Sequence, residues 1–489
     1  MKAKTQNPKS KIQNATAPAV GRLWALGFGL SALWLAGCAV GPDYQRPANP
    51  ALTPAAFRWE TQASTNSFAN LPWWRVFHDD TLQTLVRTAL TNNYDVRIAV
   101  TRVEQARASA AQARGQYYPQ LDYGVAGGGG KNVSDNAPSP TGKNGSELAA
   151  YVTASWEIDL WGRLRRLNES ARAQFLASQE AQHDVQISLV AQVAQNYLQL
   201  LALDRQLQIA QESTNSYGAS LKIFNERLQG GVASKLETAS AEALMDAAAA
   251  TIPDLERQVA LQEDQLSVLL GQNPGPILRG GTSLEQQAPP EVPAGLPSAL
   301  LERRPDIREA EAQLRSANAQ VGAAKANFFP QLDLTALFGE VSPELSAFTA
   351  GAAPAWELAA GLTGPLFHGG QLRAQYAQAR ATRDQFALQY ESTVLNAFQE
   401  ISDALISREK LAAARTQQAR AVDAYREAVK IAMERYRLGN ADYYEVLQEQ
   451  QLLFPAENSL VQFQLNQLLA VVQLYRALGG GWDAETQSR

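Results

Sequence analysis

The hexapeptide Tyr117-Tyr118-Pro119-Gln120-Leu121-Asp122 returns 211 residues later as Phe328-Phe329-Pro330-Gln331-Leu332-Asp333. Asp95 and Arg97 match Asp306 and Arg308 at the same offset. Further along, the offset is 208: Glu226, Arg227, Gly231 and Glu237 match Glu434, Arg435, Gly439 and Glu445, and Leu270-Gly271 matches Leu478-Gly479. The order is kept throughout. The three-residue change falls where the loop after Gly127 is longer than its counterpart near Val341. A chain with this spacing contains one supersecondary unit twice, which restricts the fold more than any local motif does.

Each copy has the same layout. A short helix is expected near Leu82–Leu90 and again near Ser298–Arg303. Asn93 or Pro305 opens a longer helix, where proline suits a first turn because its missing N–H would have had no partner. These helices end near Gln116 and Asn327, and two strands, a very long helix, a glycine turn and a return helix follow. The first unit spans 79–278, with strands at about 119–130 and 148–160 and a helical hairpin at 163–271. The second spans 297–479, with strands at about 330–340 and 354–365 and a hairpin at 370–478. Residues 279–296 link the units, and 480–489 form a tail.

The hairpins are unusually long. Gln371 to Leu438 contains no glycine or proline, and Arg163 to Gln229 contains only Gly218. At 1.5 Å per residue each spans roughly 100 Å. Phe386, Tyr390, Val394, Ala397, Ile401 and Ala404 step by three or four, as do Leu189, Val193, Tyr197, Leu200, Leu203 and Leu207. Such stripes pack against partner helices in coiled-coil fashion. Much of the remaining surface is Ala, Gln, Ser and Thr, which suits a wall with close neighbours and water beside it.

The strands alternate. Val152, Ala154, Trp156, Ile158 and Leu160 lie opposite Tyr151, Thr153, Ser155, Glu157 and Asp159. Leu332, Leu334, Ala336 and Phe338 repeat the pattern, and so do Trp356, Leu358 and Leu362, and Leu121, Tyr123 and Val125. Period two puts each set on one face. Apolar-out, polar-in alternation is the signature of a membrane barrel. Taken singly, each strand fits a half-buried soluble sheet equally well. The run Gly127–Gly130 lacks the G-x-x-x-x-G-K-[ST] spacing of a phosphate loop and is expected as an exposed loop.

Residues 1–37 have the form of an export signal, with Lys2, Lys4, Lys9, Lys11 and Arg22, no acid, and an apolar stretch from Leu23 to Ala36. The chain's one cysteine closes Leu35-Ala36-Gly37-Cys38, which resembles a bacterial lipobox. A lone cysteine is otherwise a buried free thiol; at the end of a signal it is expected to carry lipid, and several acyl chains anchor firmly. Ala39 lacks the acidity that favours retention at the inner membrane. Residues 38–78 then form a lipidated N-terminal segment. Removing the signal takes the net charge from −5 to −10, a poor match to nucleic acid. His78, His183 and His368 are scattered, with no metal-ligand spacing, and no serine or cysteine stands in a nucleophile motif. The chain is not expected to be an enzyme or to hold a metal, and no cofactor is expected beyond the lipid on Cys38.

Four strands cannot close a barrel, since single-chain barrels start at eight. Open edges in lipid leave unpaired backbone groups at several kcal/mol each. Copies around a rotation axis would close both barrel and helical tube.

Gly41-Pro42-Asp43-Tyr44, Arg303-Arg304-Pro305-Asp306-Ile307-Arg308, Phe329-Pro330-Gln331-Leu332 and Arg435-Tyr436-x-x-Gly439 stand in an order that resembles the TolC/OprM family of outer-membrane efflux proteins, in its NodT-like lipoprotein branch. The resemblance covers nearly all of the mature chain. It implies a mixed α/β membrane protein, a homotrimer with a twelve-stranded β-barrel, four strands per chain, continued by a long α-helical periplasmic tunnel. It implies a periplasmic adaptor and an inner-membrane RND-type pump as partners, outer-membrane localisation, and passive conduction of drugs or other toxic small molecules. It places the gate at the periplasmic tip, where the hairpins turn at Gly230-Gly231 and Gly439-Asn440. Carboxylates beyond the second turn form rings in the family. Glu445 and Gln448 hold the matching positions, with Asp442, Tyr436 and Glu237 as further gate candidates. Gln448 departs from the acidic pattern; Glu445 is otherwise a solvated helix-face glutamate, and Tyr436 either an inter-helix latch or a core aromatic. The same fold also serves as an exit duct for one-step (type I) protein secretion, and a non-channel lipoprotein scaffold would explain Cys38 and the helices but not the paired strands.

Overall fold

A computed structural model describes residues 39–47, 57–59, 79–131, 133–134, 137–138, 144–287, 297–342 and 353–480. The export signal, Cys38, His78 and most of the segment up to it lie outside the described residues. The elements in order are α1 (Asp80–Asn92), α2 (Tyr94–Gly115), β1 (Gln120–Lys131), a ribbon of β2 (Val133–Ser134) and β3 (Ala137–Pro138), β4 (Asn144–Ile158), α3 (Arg163–Gln229) and α4 (Lys235–Leu269). After a 3-10 turn come α5 (Pro297–Arg303), α6 (Pro305–Ala326), β5 (Gln331–Ser342), β6 (Ala353–Thr363), α7 (Gln371–Arg437) and α8 (Tyr443–Ala477). Helices α3 and α7 each contain 67 residues, and α4 and α8 each contain 35. Among the described residues no helix is long and apolar enough to cross a membrane.

The chain divides into two compact units. One holds the strands, from the described residues of 39–43, 113–168 and 319–379. Its sheet is antiparallel in the order β1-β4-β5-β6. Pairing joins Tyr123 to Val152, Val152 to Phe338, and Phe338 to Trp356. One face therefore carries Leu121, Tyr123, Val125, Val152, Trp156, Leu334, Phe338, Trp356, Leu358 and Leu362. The other carries Asp122, Thr153, Ser155, Glu157, Asp333, Thr335 and Glu357. The apolar face is open: Tyr123 is 88%, Trp356 73% and Phe338 68% exposed. A soluble sheet would cover such a face.

Two strand details differ from the sequence reading. The glycines at 127–130 are not the expected exposed loop but continue β1, within the strand bounds of about 119–130, paired from Gly127 opposite Leu148 to Gly130 opposite Gly145. A partner strand that long supplies ladder bonds, which outweigh glycine's weak preference for extended structure. Leu160 lies beyond β4, which ends at Ile158. Asp159 leaves the strand to cap α3, accepting from Leu164 N at 3.1 Å and Arg165 N at 2.9 Å. Gly162, at φ +79, makes that turn against Ala39. The segment after Cys38 is held here: Val40 N donates to Trp161 O at 2.9 Å, and Arg166 pairs with Asp43 at 2.8 Å.

The other unit holds most of the helices, from 44–112, 169–318 and 380 onwards. Its core contains the expected stripes: Val193, Tyr197 and Leu200 on α3, and Val394, Ala397 and Ile401 on α7 are buried. Leu207 is only half-buried, and Ile209 and Ala210 take over. A straight helix drifts relative to a fixed three-four spacing, so the stripe moves to the next positions. Asp79 caps α1 and accepts from Tyr197 Oη at 3.1 Å, joining the short helix to the long one.

Candidate functional site

The turns between the long helices are built alike. Gly231 N donates to Leu228 O and Val232 N to Arg227 O; Gly439 N donates to Tyr436 O and Asn440 N to Arg435 O. Both pairs are the Schellman pattern, which needs a left-handed residue after the helix. Gly231 (φ +74) and Gly439 (φ +76) supply it. Gly230 and Asn440 stand in the turns without that conformation.

The restart differs between the two hairpins. Ser234 and Glu237 form a capping box on α4: Glu237 Oε1 accepts from Ser234 N at 3.1 Å, and Ser234 Oγ accepts from Glu237 N at 3.4 Å. On α8 the N-cap is Asp442, exposed and without a side-chain cap bond. Glu445, at the position matching Glu237, instead accepts from Arg435 Nη1 at 2.9 Å across the turn. Arg435 Nη2 also donates to Asn440 O at 3.2 Å. Gln448 is exposed on α8.

A small apolar core lies behind the turns. Phe224, Ala241, Ala432, Tyr436, Val446 and Leu447 are buried together. Phe224 meets Tyr436 edge-on at 5.1 Å, close to the favoured aromatic geometry. Arg227 donates from Nη1 to Tyr436 O at 2.8 Å and lies 4.4 Å above its ring. The Tyr436 hydroxyl is buried and, among the described residues, no donor or acceptor meets it in hydrogen-bond geometry. Burial pushes its pKa up; Arg227 works against this, while Glu237 beside the phenol adds to it. Further up, Gln450 is buried, donating to Ser220 Oγ at 2.9 Å, while its backbone oxygen accepts from Tyr217 Oη at 2.9 Å.

The turn region thus gathers Tyr436, Glu237, Glu445 and the glycines, and leaves Asp442 and Gln448 pointing outward. The roles of Arg227 and Arg435 were missed in the sequence. They match at the 208 offset, so two equivalent side chains were visible there. That one would pair within its hairpin and the other reach across was not.

The family model "Outer membrane efflux protein" matches residues 85–272 and again 296–480. The toluene efflux pump outer membrane protein TtgC of Pseudomonas putida is 35% identical over 471 residues, covering 94% of this chain and 96% of that one. The cation efflux system protein CusC of Escherichia coli is 33% identical, covering 92% and 97%. Among solved structures, the outer-membrane channel OprN superposes with a TM-score of 0.85 at 30% identity, covering 91% of this chain and all of that one. The open state of the Neisseria gonorrhoeae MtrE outer membrane channel gives 0.83 at 30% identity, covering 92% and 100%. This chain belongs to the outer membrane efflux protein family and is the outer-membrane channel component of an efflux system.

Proposed function

We propose that three copies of this chain form one pore, a twelve-stranded barrel over a helical tunnel, which passively conducts small molecules out of the cell. The observation that carries this is the sheet. Its apolar face is exposed along four strands, and β1 and β6 are left as open edges. A lipid-facing sheet with open edges is unstable, and closure by symmetric copies removes both edges at once. On this reading residues 79–278 and 297–479 are two copies of one unit, and three chains give six such units around the axis.

The tunnel has no engine of its own in this reading. Energy comes from an inner-membrane RND-type pump, met through a periplasmic adaptor. The gate is the turn region, with Tyr436, Glu237, Asp442, Glu445 and Gln448 as the residues that set its width and charge. Relatives are named for toluene, solvents, antibiotics and cations, which supports small solutes over a protein-secretion duct. Cys38 is the site of lipid attachment; the docking of Ala39–Asp43 beside the strands would hold that lipid near the membrane. Cys38→Ser should lose acyl labelling, and normal labelling of the variant would remove the anchor.

The experiment is single-channel recording of the purified full-length protein in planar bilayers. Stepwise, long-lived conductance is expected. A protein that inserts and never conducts is a scaffold, and the channel reading fails.

A further inference from the structure

The apolar face of the sheet is not evenly filled. Strand pairing sets its side chains in rows. One row is Trp156, Leu334 and Ala360, and another is Val152, Phe338 and Trp356. Between them lie Ala154, Ala336 and Leu358. In this middle row the two central strands, β4 and β5, each present only a methyl group, while the rows on either side present large side chains.

A groove results. Two cavities of about 400 and 300 Å³ open on this face, and both include Ala154, Ala336 and Leu358. Trp156 borders the one nearer the helices, and Phe338 and Trp356 border the other. The Trp156 ridge is held in place, because its Nε1 donates to Tyr117 O at 2.9 Å. The side chains of this face that border the groove are aliphatic or aromatic, which suits a hydrocarbon chain and offers little to a polar head group.

Residues 39–41 are docked at the foot of this same strand pair. Val40 N donates to Trp161 O at 2.9 Å. A Cβ on Gly162 would lie 2.8 Å from Ala39 Cα, and one on Gly41 would lie 2.4 Å from Gly322 Cα, so backbone meets backbone at both places. Trp161 also secures the start of β5: its Nε1 donates to Pro330 O at 2.7 Å, and its ring stacks on Phe329 at 4.7 Å.

We propose that one acyl chain carried by Cys38 lies in this groove, across Ala154 and Ala336, between Trp156 and the Phe338–Trp356 pair. Cys38 is bonded directly to Ala39, so its lipid enters the membrane at the foot of β4 and β5. From Ile158 to Ala154 the strand climbs roughly 13 Å, at about 3.3 Å per residue. An acyl chain crosses about half of a hydrocarbon core roughly 30 Å thick, so the floor of the groove is within its reach. Free lipid tails compete for the same surface, but attachment gives this chain a high effective concentration there. The lipid then fixes the N-terminal segment to its own sheet as well as to the membrane. The inference rests on Cys38 being acylated and goes beyond it, since an anchor requires only that the chain enter the bilayer.

The test is photo-crosslinking of the full-length protein in the outer membrane of cells fed a fatty acid that carries a diazirine near its end. After irradiation, crosslinked peptides are mapped to the residue by mass spectrometry. The expected product joins the Cys38 peptide, through its acyl chain, to Ala154, Ala336 or Leu358. Ala336→Trp fills the floor and should lose this product while keeping acylation. Ala154→Leu closes the floor from the other strand, should the first variant not fold. Acylated Cys38 whose chain links only to phospholipid or to residues outside the groove overturns the inference and leaves the anchor standing. Free phospholipid linked at Ala154 and Ala336, without the Cys38 chain, overturns the assigned occupant. A Cys38 peptide that carries no acyl mass overturns both the groove and the anchor.

Discussion

Arg227 on α3 donates from Nη1 to the carbonyl oxygen of Tyr436 on α7 at 2.8 Å while its guanidinium lies 4.4 Å over the Tyr436 ring. It thereby ties the tip of the first hairpin to the tip of the second. A charged hydrogen bond with a cation–π contact is worth about 1–2 kcal/mol at a partly exposed site. Arg227→Ala should lower the melting temperature slightly and raise the open probability of single channels. Tyr436→Phe removes a buried hydroxyl that has no hydrogen-bond partner within geometric range among the described residues, and should leave stability unchanged or slightly higher. Equal effects of the two substitutions in thermal melts and recordings would show that the contact to the carbonyl and ring is not what holds the tips.

Glu445 is not a bare charge, because Arg435 Nη1 meets it at 2.9 Å. Both side chains are about half exposed, so the pair adds roughly 0–1 kcal/mol to stability. Its effect is on the field at the tip. Arg435→Ala should raise cation preference, measured as a reversal-potential shift under a salt gradient, and Glu445→Gln should reduce it. High salt should shrink both shifts.

Much of the fold was legible in the sequence because matching residues recur at offsets of 211 and 208 and the long helices are nearly free of glycine and proline. Strand faces were legible from period two, and Gly231 and Gly439 from their shared offset. The strand ends were not, since Asp159 alternates with the strand pattern and yet caps a helix. The course of β1 through Gly127–Gly130 depends on its partner, which no local preference encodes. At the tip, matching positions diverge: Glu237 closes a capping box, while Glu445 pairs with Arg435. Position 228 is Leu where its counterpart is Tyr436, so at this matching tip position the second hairpin has a ring and the first has none.

Among the helices, Glu309 has a pKa raised to about 7, first by burial and then by Asp184, Asp306 and Glu180. A carboxyl whose folded pKa exceeds its unfolded value favours the folded state when protonated, so stability falls as pH rises from about 4.5 towards 7. Arg308 on Glu180 and Arg304 on Asp306 reduce the local excess of negative charge. Glu309→Gln should stabilise by about 1 kcal/mol at pH 7.5, allowing for its partial exposure, and by little at pH 5. Thermal melts at the two pH values check this; an equal shift at both would assign the effect to packing.

The two faces of the sheet should respond oppositely to charge. Leu358→Lys on the apolar face is expected to cost about 2–4 kcal/mol near the membrane midplane. Thr335→Lys on the polar face should be tolerated. The amount of folded, heat-modifiable protein in outer-membrane fractions distinguishes them, and equal loss from both would mean that the faces are assigned wrongly.

The central claim is that one chain cannot make the pore and three can. Native mass spectrometry of the detergent-extracted, channel-active protein tests it most directly. The expected mass is that of three processed chains, with dissociation abolishing conductance. A single chain, or any other number, that carries the full conductance would contradict the account.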